Sequence, residues 1–427
     1  MSPADTRATI HSVFQAESAR VVASLARLVR DVGLAEELAQ DALVSALEEW
    51  PSAGVPENPG AWLMTTAKNR ALNALRREKM LARKHEEIGR DPRPLLGADA
   101  EDIAARIEAS LDDDIGDERL ALMFTACHPL LSTEGRVALT LRLIAGLTTE
   151  EIARAFLVPE STVAQRIVRA KKTLAERKIA FEVPRAEALG PRLASVLEVV
   201  YLVFNEGYAA TSGDDVLRPA LVGEAIRLAQ LLARLAPAEP EVHGLVALLE
   251  LSSSRALART DEAGEPVLLL DQDRTRWDSA QIARGLASLA RAEELCGSGE
   301  AAKLGPYALQ AAISACHARA RTAALTDWTR IAALYADLLA LVPSPVVALN
   351  HAVAVSMAEG PARGLELLDE LSGEPSLARY HLLPSARADM LERLGRHAEA
   401  RAAFERAASM TENARQRARL LARAARA

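Results

Sequence analysis

Hydrophobic residues recur at helical spacing along most of this chain. Between residues 11 and 50 the apolar positions follow a period near 3.6 with a break at Gly33, which predicts two successive helices, the second from Ala35 to Trp50. Residues 51–60 contain three prolines and two glycines, and we expect a loop there because proline cannot continue a helix. Helical periodicity resumes from Trp62 to Lys84.

Charge then separates this segment from the next helical one. Residues 85–117 carry eleven Asp or Glu against three Arg, a pattern typical of a solvated and partly extended linker. The helical pattern returns over residues 118–178, and Pro184, Gly190 and Pro191 mark a boundary. The remainder is rich in leucine and alanine and is predicted to be helical almost throughout.

The C-terminal part contains a weak repeat of about 34–36 residues, the period of stacked helical hairpins. Its last copy has the spacing of a tetratricopeptide unit, with Leu394–Ala400 followed by Phe404 and Ala407. Fainter copies centre on Gly360 and Ile331. The repeat predicts an α-solenoid-like array in this part of the chain.

Composition narrows the classes of protein. A length of 427 residues allows two to four domains, and 4 % aromatic residues with abundant Ala, Leu, Arg and Glu favour helices. The net charge of −7 excludes a uniformly basic nucleic-acid binder but leaves room for local basic patches. The three cysteines have no disulfide or metal-site spacing, and no apolar run reaches membrane-spanning length. We therefore expect a cytoplasmic protein with no membrane contact and no cofactor.

The sharpest local signal is a helix-turn-helix pattern. Residues 149–156 predict a short helix, and Leu157 to Pro159 a tight turn before a second helix from Glu160 to about Ala175. Any two helices joined by a three-residue turn give a similar pattern, but the basic run from Arg166 to Lys178 favours DNA. The residues expected to face bases or phosphates are Ser161, Thr162, Gln165, Arg166, Arg169 and Lys171.

A second basic segment lies between Trp62 and Lys84 and could be an ordinary solvated helix face. The adjoining Pro/Gly loop and Trp62 favour contact with single-stranded or melted DNA, where aromatic rings stack on bases. The candidate DNA-binding residues of this segment are Asn58, Trp62, Lys68, Asn69, Arg76, Arg77 and Lys79.

Together these motifs resemble those of extracytoplasmic-function (ECF) sigma factors over residues 11–178. The segment Glu37-Leu-Ala-Gln40-Asp41 resembles the family's acidic helix, which implies binding to core RNA polymerase. The helix after Trp62 resembles the one that melts the minus-ten element of promoter DNA, and Thr162–Lys171 resembles the helix that reads the minus-thirty-five element. Gln165 replaces a common serine of the family, so no promoter sequence follows from the resemblance.

Beyond residue 185 the chain resembles a subgroup with a tetratricopeptide-like extension, which implies regulation by that extension. A polar cluster there is a candidate regulatory interface, although charges paired within a loop around a packed tryptophan would give the same pattern. Its residues are Asn205, Glu206, Tyr208, Asp271, Asp273, Arg274, Arg276 and Trp277.

The expected fold is all-α. It comprises a sigma region-2 domain at residues 1–95, an acidic linker at 96–117, a region-4 helix-turn-helix domain at 118–185 and a helical extension at 186–427. The expected function is that of a non-enzymatic sigma factor that directs core RNA polymerase to promoters. The alternative is a helix-turn-helix regulator with a ligand- or peptide-binding repeat domain that acts without polymerase.

Overall fold

The protein is described here from a computed structural model of the chain. The structure describes residues 3–87, 115–156, 158–184, 188–208, 218–261, 267–297, 303–378, 380–411 and 414–427. The acidic linker therefore lies almost wholly outside the described residues. So does the side chain of Lys79.

Contacts divide the chain into two compact units, Met1–Leu235 and Ala236–Ala427. The helices of the first unit are α1 (Pro3–Val29), α2 (Val32–Ala53), α3 (Pro59–Glu87), α4 (Ile115–Ala126), α5 (Thr133–Leu143), α6 (Thr149–Phe156), α7 (Glu160–Glu176), α8 (Leu189–Tyr208) and α9 (Pro219–Leu235). Those of the second are α10 (Pro240–Ser253), α11 (Ser279–Cys296), α12 (Pro306–Arg319), α13 (Trp328–Leu341), α14 (Pro345–Ala358), α15 (Pro361–Glu370), α16 (Leu382–Arg393), α17 (His397–Met410) and α18 (Ala414–Ala424).

The all-α prediction is confirmed, because the described residues form helices joined by turns and no β-sheet. Alanine and leucine fill the core of each unit, as helices that pack closely require. Within the described ranges, no helix combines the length and the apolar character needed to cross a bilayer.

Two predicted boundaries in the N-terminal part were wrong. The break between α1 and α2 falls at Arg30, which adopts a left-handed φ of 55°, and Asp31 caps α2, so that Gly33 lies inside the helix. Helix α2 also continues through Pro51 before Gly54 ends it with a φ of 87°. Proline is tolerated there because it removes a single hydrogen bond in the last turn.

The first unit contains two lobes. The N-terminal lobe is formed by α1–α3, and α1 packs against both of the other helices. The helix-turn-helix lobe is formed by α4–α9, in which α8 packs against α5 and α9. Contacts of α1 with α4 and of α2 with α7 join the lobes.

In the second unit, the helices from α12 to α18 pack in order, each against the next, whereas α10 packs against both α11 and α12. In the last predicted copy, α16 and α17 are joined by a turn at Gly395, whose φ of 73° is left-handed, and Phe404 and Ala407 are fully buried. Val267–Leu270, an apolar run whose secondary structure periodicity does not predict, lies in a loop that ends in a turn.

Candidate nucleic-acid and protein interfaces

The helix-turn-helix forms where the sequence predicts it. Thr148 and Glu151 cap α6 reciprocally, since the Thr148 hydroxyl accepts from the backbone N–H of Glu151 at 3.1 Å and the Glu151 carboxylate accepts from the N–H of Thr148 at 2.7 Å. Ala153 is buried at the crossing of α6 and α7. The first helix is thus fixed at its start and held close to the second.

One face of α7 is open to solvent along its length. Ser161, Gln165, Arg169 and Lys172 are exposed at helical spacing, and we call them the recognition stripe. Thr162 and Arg166 flank the stripe and are half-buried. This geometry suits a helix that presents polar side chains to a DNA groove.

Lys171 does not share that face. Its ammonium forms an ion pair with the carboxylate of Glu36 in α2, whereas Lys172 occupies the stripe. In this conformation Lys171 contacts the N-terminal lobe, contrary to its predicted position near phosphates, because residue 171 lies on the opposite side of α7 from Gln165 and Arg169.

Glu36 is the acceptor for two cations of the helix-turn-helix lobe. Its side chain is buried, and Arg142 donates to it from Nε at 2.6 Å while Lys171 contacts its other oxygen. Burial works to raise the pKa of Glu36, but the charges and hydrogen bonds of Lys171 and Arg142 outweigh it, so the pKa is lowered. Glu36 is therefore held as a carboxylate.

The start of α3 combines a cap with an aromatic pair. The side-chain oxygen of Asn58 accepts from the N–H of Ala61 at 3.0 Å, so Asn58 caps the helix. The ring of Trp62 meets that of Trp50 edge-on, with centroids 5.3 Å apart, and remains half-exposed. Trp62 thus has a fixed position with part of its surface accessible.

Polar residues continue from Trp62 along one exposed face of α3. Asn69, Asn73, Arg76 and Arg77 are all exposed. Lys68 differs, because burial first, and then the neighbouring charges of Arg20 and Arg27, lower its pKa against the opposing effect of Glu118 in α4. Lys68 is half-buried, unlike the exposed residues of this face.

An acidic and apolar face lies on α2. Glu37 and Asp41 are exposed, Gln40 is half-buried, and Val44 and Leu47 follow at helical spacing with 49 % and 42 % of their surface exposed. We call these five residues the docking face. Exposed aliphatic side chains next to carboxylates are typical of a protein-binding surface rather than a DNA-binding one.

Helices α8 and α9 are attached to the helix-turn-helix by arginines that contact the C-terminal ends of its helices. Arg192 donates to the carbonyl of Phe124 in α4 at 2.7 Å, and Arg227 donates to the carbonyl of Ile144, which ends α5, at 3.2 Å. Arg218 donates to the carbonyl of Ala155 in α6. Cations at helix C-termini satisfy free carbonyls and oppose the negative end of the helix dipole.

A buried polar contact strengthens this attachment. Arg136 of α5 donates to the Ser195 hydroxyl at 2.6 Å and to the Glu198 carboxylate at 2.8 Å. Ser195 in turn donates to the carbonyl of Cys127 at 2.5 Å, and burial raises the pKa of the Cys127 thiol to about 11. The first helix after residue 185 is therefore bonded into the core of the preceding domain.

Three predicted regulatory residues lie at the end of α8. Glu206 forms an ion pair with Arg218, the arginine that reaches α6. Tyr208 stacks on Phe204 with a centroid distance of 5.1 Å, and Asn205 is half-buried. Through Arg218, Glu206 supports the attachment of α8 and α9 to the helix-turn-helix.

A cavity of about 180 Å³ lies between α8 and the helix-turn-helix. Its walls are mainly apolar, from Val137, Ile152 and Leu202, with Arg166 and Glu206 also lining it. Side chains of α7 and of α8 both line this cavity.

In the second unit, Arg274 connects its loop to other segments of the chain by hydrogen bonds. It donates to the carbonyls of His317 and Ala320 at 2.5 and 2.6 Å and to the Thr326 hydroxyl at 3.0 Å, and its guanidinium lies 4.9 Å from the ring centre of Trp277. Trp277 is buried. Trp277 is therefore packed, as the alternative expects, whereas Arg274 bonds to residues outside its own loop rather than to the charges within it.

Three other candidate residues of that loop face solvent. Asp271, Asp273 and Arg276 are exposed, and Asp273 caps a short 3-10 helix by accepting from the N–H of Thr275 at 2.9 Å. Leu268 and Leu270 beside them are 45 % and 41 % exposed. Among the residues that the structure describes, no group of three His, Cys, Asp or Glu could hold a metal ion.

Sequence reasoning missed the residues that join the lobes. Glu36 precedes the docking face and lies on the apolar stripe of α2, and an acid on such a stripe is the signal that could have revealed its buried partners. Arg192, Arg218 and Arg227 carried no comparable signal, because each contacts a backbone carbonyl far away in sequence.

Comparison with known families places three segments of the chain. Residues 13–80 match sigma-70 region 2, and residues 121–174 match sigma-70 region 4. Residues 192–293 match a family of unknown function (DUF6596). No solved structure matches the chain.

Similar proteins extend these matches. An uncharacterized protein of Rhizobium meliloti is 43 % identical over 396 residues, 92 % of this chain and 90 % of that protein. The ECF RNA polymerase sigma factor SigK of Mycobacterium ulcerans is 31 % identical over 153 residues, 35 % of this chain and 74 % of SigK. The probable ECF sigma factor SigI of Mycobacterium tuberculosis is 27 % identical over 220 residues, 50 % of this chain and 69 % of SigI. With both sigma-70 regions in order and most of SigK covered, this chain belongs to the ECF RNA polymerase sigma factors.

Proposed function

We propose that this chain binds core RNA polymerase, directs it to specific promoters and is regulated by its own C-terminal extension. The observation that carries the proposal is the recognition stripe, an exposed polar face on the second helix of a helix-turn-helix that matches sigma-70 region 4. Gln165 and Arg169 are the side chains best suited to base edges, and Lys172 suits phosphate. The protein supplies no bond chemistry, which belongs to the polymerase.

The docking face is the proposed contact with polymerase. Glu37, Gln40 and Asp41 supply the polar part, and Val44 and Leu47 add apolar area that a partner helix would cover. Asp41 lies 3.6 Å from Arg70, which also donates to Ser45 at 2.6 Å, so the face is held in shape by α3. A rigid face loses little entropy on binding.

The exposed face of α3 is the proposed contact with the melted minus-ten element. Trp62 offers a ring for stacking, Asn69 can bond a base edge, and Arg76 and Arg77 can neutralise phosphates. We keep the division into region 2 at residues 1–95, a linker at 96–117, region 4 at 118–185 and an extension from 186. Helices α8 and α9 nevertheless belong to the same compact unit as region 4.

The extension is the proposed regulator. Two features support this role: the bonds of α8 and α9 to the ends of α4, α5 and α6, and the cavity beside Arg166 and Leu202. A ligand in that cavity would act on a part of the chain that is connected to α7. A protein bound to the exposed loop from Leu268 to Arg276 would act on the repeat unit.

Run-off transcription with core RNA polymerase and a genomic promoter library tests the proposal. New start sites that require the full chain, and that disappear with Asp41→Lys on the docking face, are the expected result. Glu49→Lys, the same charge change at an exposed position of the same helix, is the matched control and should keep the transcripts. Duplex binding without any polymerase-dependent transcript would favour the alternative regulator that acts alone.

Comparison of the full chain with a chain ending at Leu235 tests regulation. The shorter chain keeps the whole first unit, so a change in transcript level would reflect the repeat unit alone. Equal transcript levels from both chains, with and without cell extract, would exclude a regulatory role for the second unit.

A further inference from the structure

The cavity between α8 and the helix-turn-helix combines apolar walls with charged residues that reach solvent. Val137, Ile152 and Val163 are buried in its walls, and Phe156 and Leu202 are half-buried and also line it. Its volume of about 180 Å³ is close to that of an apolar protein cavity of about 150 Å³ that binds benzene. A branched aliphatic or aromatic side chain of a ligand would therefore fit.

Two charged residues that line this cavity have no partner among the residues that the structure describes. Glu134 is exposed and Arg166 is half-buried, and within the described ranges neither side chain forms a hydrogen bond or an ion pair, with the other or with any third residue. Glu206, which also lines the cavity, is paired with Arg218. The cavity therefore offers one carboxylate and one guanidinium beside an apolar surface.

This combination selects the charge of a ligand. A carboxylic acid would bind Arg166 through paired hydrogen bonds but would be repelled by Glu134, and an amine would meet the reverse situation. A neutral apolar molecule would leave both charges unused. A ligand with a carboxylate and an ammonium on one carbon satisfies both residues while its side chain fills the apolar part of the cavity.

We propose that this cavity binds a free α-amino acid with an apolar side chain, such as leucine or phenylalanine, and that the bound carboxylate takes Arg166 away from DNA. Arg166 flanks the recognition stripe, so a guanidinium that holds the ligand is no longer available to a base or a phosphate. The effect is reciprocal, because promoter DNA should weaken amino-acid binding by the same factor. The inference rests on the proposed function, since it takes α7 as the helix that reads the promoter.

Isothermal titration calorimetry on the full chain tests the class of ligand. L-Leucine is compared with isocaproate and isoamylamine, which keep its side chain but lack the ammonium and the carboxylate respectively. We expect leucine to bind at least about tenfold more tightly than either analogue, because each analogue loses one charged hydrogen-bonded contact. Equal binding of leucine and isocaproate, or no binding of either leucine or phenylalanine, overturns the proposal.

Substitutions in the full chain test the two charged contacts separately. With Arg166→Gln, leucine should lose its advantage over isoamylamine, and with Glu134→Gln it should lose its advantage over isocaproate. Arg154→Gln and Glu150→Gln change exposed residues of α6 outside the cavity, so these matched controls should keep both advantages. If both advantages survive in all four variants, the amino acid binds elsewhere and the proposed site is wrong.

Leu202→Trp separates ligand binding from DNA reading, because it fills the cavity from α8 and leaves α7 unchanged. Saturating leucine should weaken the binding of holoenzyme to a promoter duplex, followed by anisotropy, about fivefold or more with the parent chain and not with Leu202→Trp. If Leu202→Trp lowers the melting temperature, Glu134→Gln gives the same separation, because it weakens ligand binding from α5.

Promoter binding that does not change when leucine saturates the parent chain, or that changes equally in the parent and the variant, overturns the link to Arg166. Run-off transcription without any amino acid would still stand in that case, and its loss would instead count against the proposed function.

Discussion

Neighbouring cations of this protein have different surroundings that composition does not distinguish. Lys171 and Lys172 are adjacent, yet the first is paired with Glu36 and the second lies on the recognition stripe. Helical geometry separates them by about 100° around α7. The sequence predicts that this helix is basic, but the choice between the two lysines depends on the lobe packed against it, which periodicity does not reveal.

The first residue-scale prediction separates phosphate contacts from base contacts. Arg77→Ala should weaken binding to promoters of every sequence, because one phosphate contact is lost. The slope of the logarithm of the binding constant against the logarithm of salt concentration should fall in magnitude by about one. Gln165→Ala should change the preference at one base pair by about 1–3 kcal/mol. Anisotropy with holoenzyme and single-substitution promoters, at several salt concentrations, measures both effects. Identical behaviour of the two variants would contradict the assignment.

The second residue-scale prediction concerns His317. This histidine is buried, and its ring meets the ring of Trp328 edge-on with the two centroids 5.3 Å apart. Burial first, then the charges of Arg255 and Arg274, lower its pKa to about 4 from 6.5. Between these two pH values the unfolded chain therefore binds more protons at this histidine than the folded chain does. The contribution of neutral His317 to folding stability is fully present above about pH 6.5 and is lost as the pH falls toward 4. We expect the free energy of unfolding of the second unit to drop by about 2–3 kcal/mol over that range.

Urea unfolding followed by tryptophan fluorescence measures this dependence. His317→Gln should flatten the pH profile, because the titrating group is gone. His397→Gln, an exposed histidine on α17, is the matched control and should leave the slope as it was. A slope that persists in His317→Gln would show that other groups cause it.

At the scale of elements, local signals in the sequence locate the helix-turn-helix well. The predicted start and end of α6 agree with the structure, and Thr148 and Glu151 supply the cap. Prolines were less informative, since Pro51 lies within α2 and Pro59 starts α3. Proline disrupts a helix mainly in its interior, where its missing N–H removes a hydrogen bond. At the first position of a helix that N–H has no partner within the helix, and in the last turn only one bond is lost.

Two glycines in helices provide a matched element-scale test. A Cβ on Gly244 of α10 would lie 2.7 Å from the backbone nitrogen of Ala308 in α12, so Gly244→Ala must push the two helices apart. We expect a loss of about 1–3 kcal/mol in the free energy of unfolding, despite the better helix propensity of alanine. Gly223→Ala in α9 meets nothing within 4 Å and should gain about 0.5–1 kcal/mol. Thermal unfolding of both variants measures the difference, and equal shifts would argue against a close crossing of α10 and α12.

At the scale of the whole molecule, the compact units do not follow the sequence boundary near residue 185. Proline and glycine mark a change of segment there, but α8 and α9 remain bonded to region 4 through Arg136, Arg192, Arg218 and Arg227. The order of the domains follows from motifs in the sequence. The extent of each compact unit depends on contacts between residues about 60–80 positions apart, which local patterns do not encode.

This difference predicts how truncated chains behave. A chain ending at Pro184 loses the arginines that contact the ends of α4, α5 and α6 and uncovers the apolar face beneath α8, whereas a chain ending at Leu235 keeps both. Each charged hydrogen bond contributes about 1.5–3 kcal/mol, so the first chain should melt well below the second and bind minus-thirty-five duplex poorly. Circular dichroism and anisotropy measure the two effects. Arg218→Met in the full chain should give an intermediate loss, because it removes one of the three arginine contacts with helix ends, together with the Glu206 ion pair, and leaves α8 in place. If the chain ending at Pro184 melted and bound like the chain ending at Leu235, α8 and α9 would not stabilise region 4, and any loss of transcription on truncation would have to come from the repeat unit.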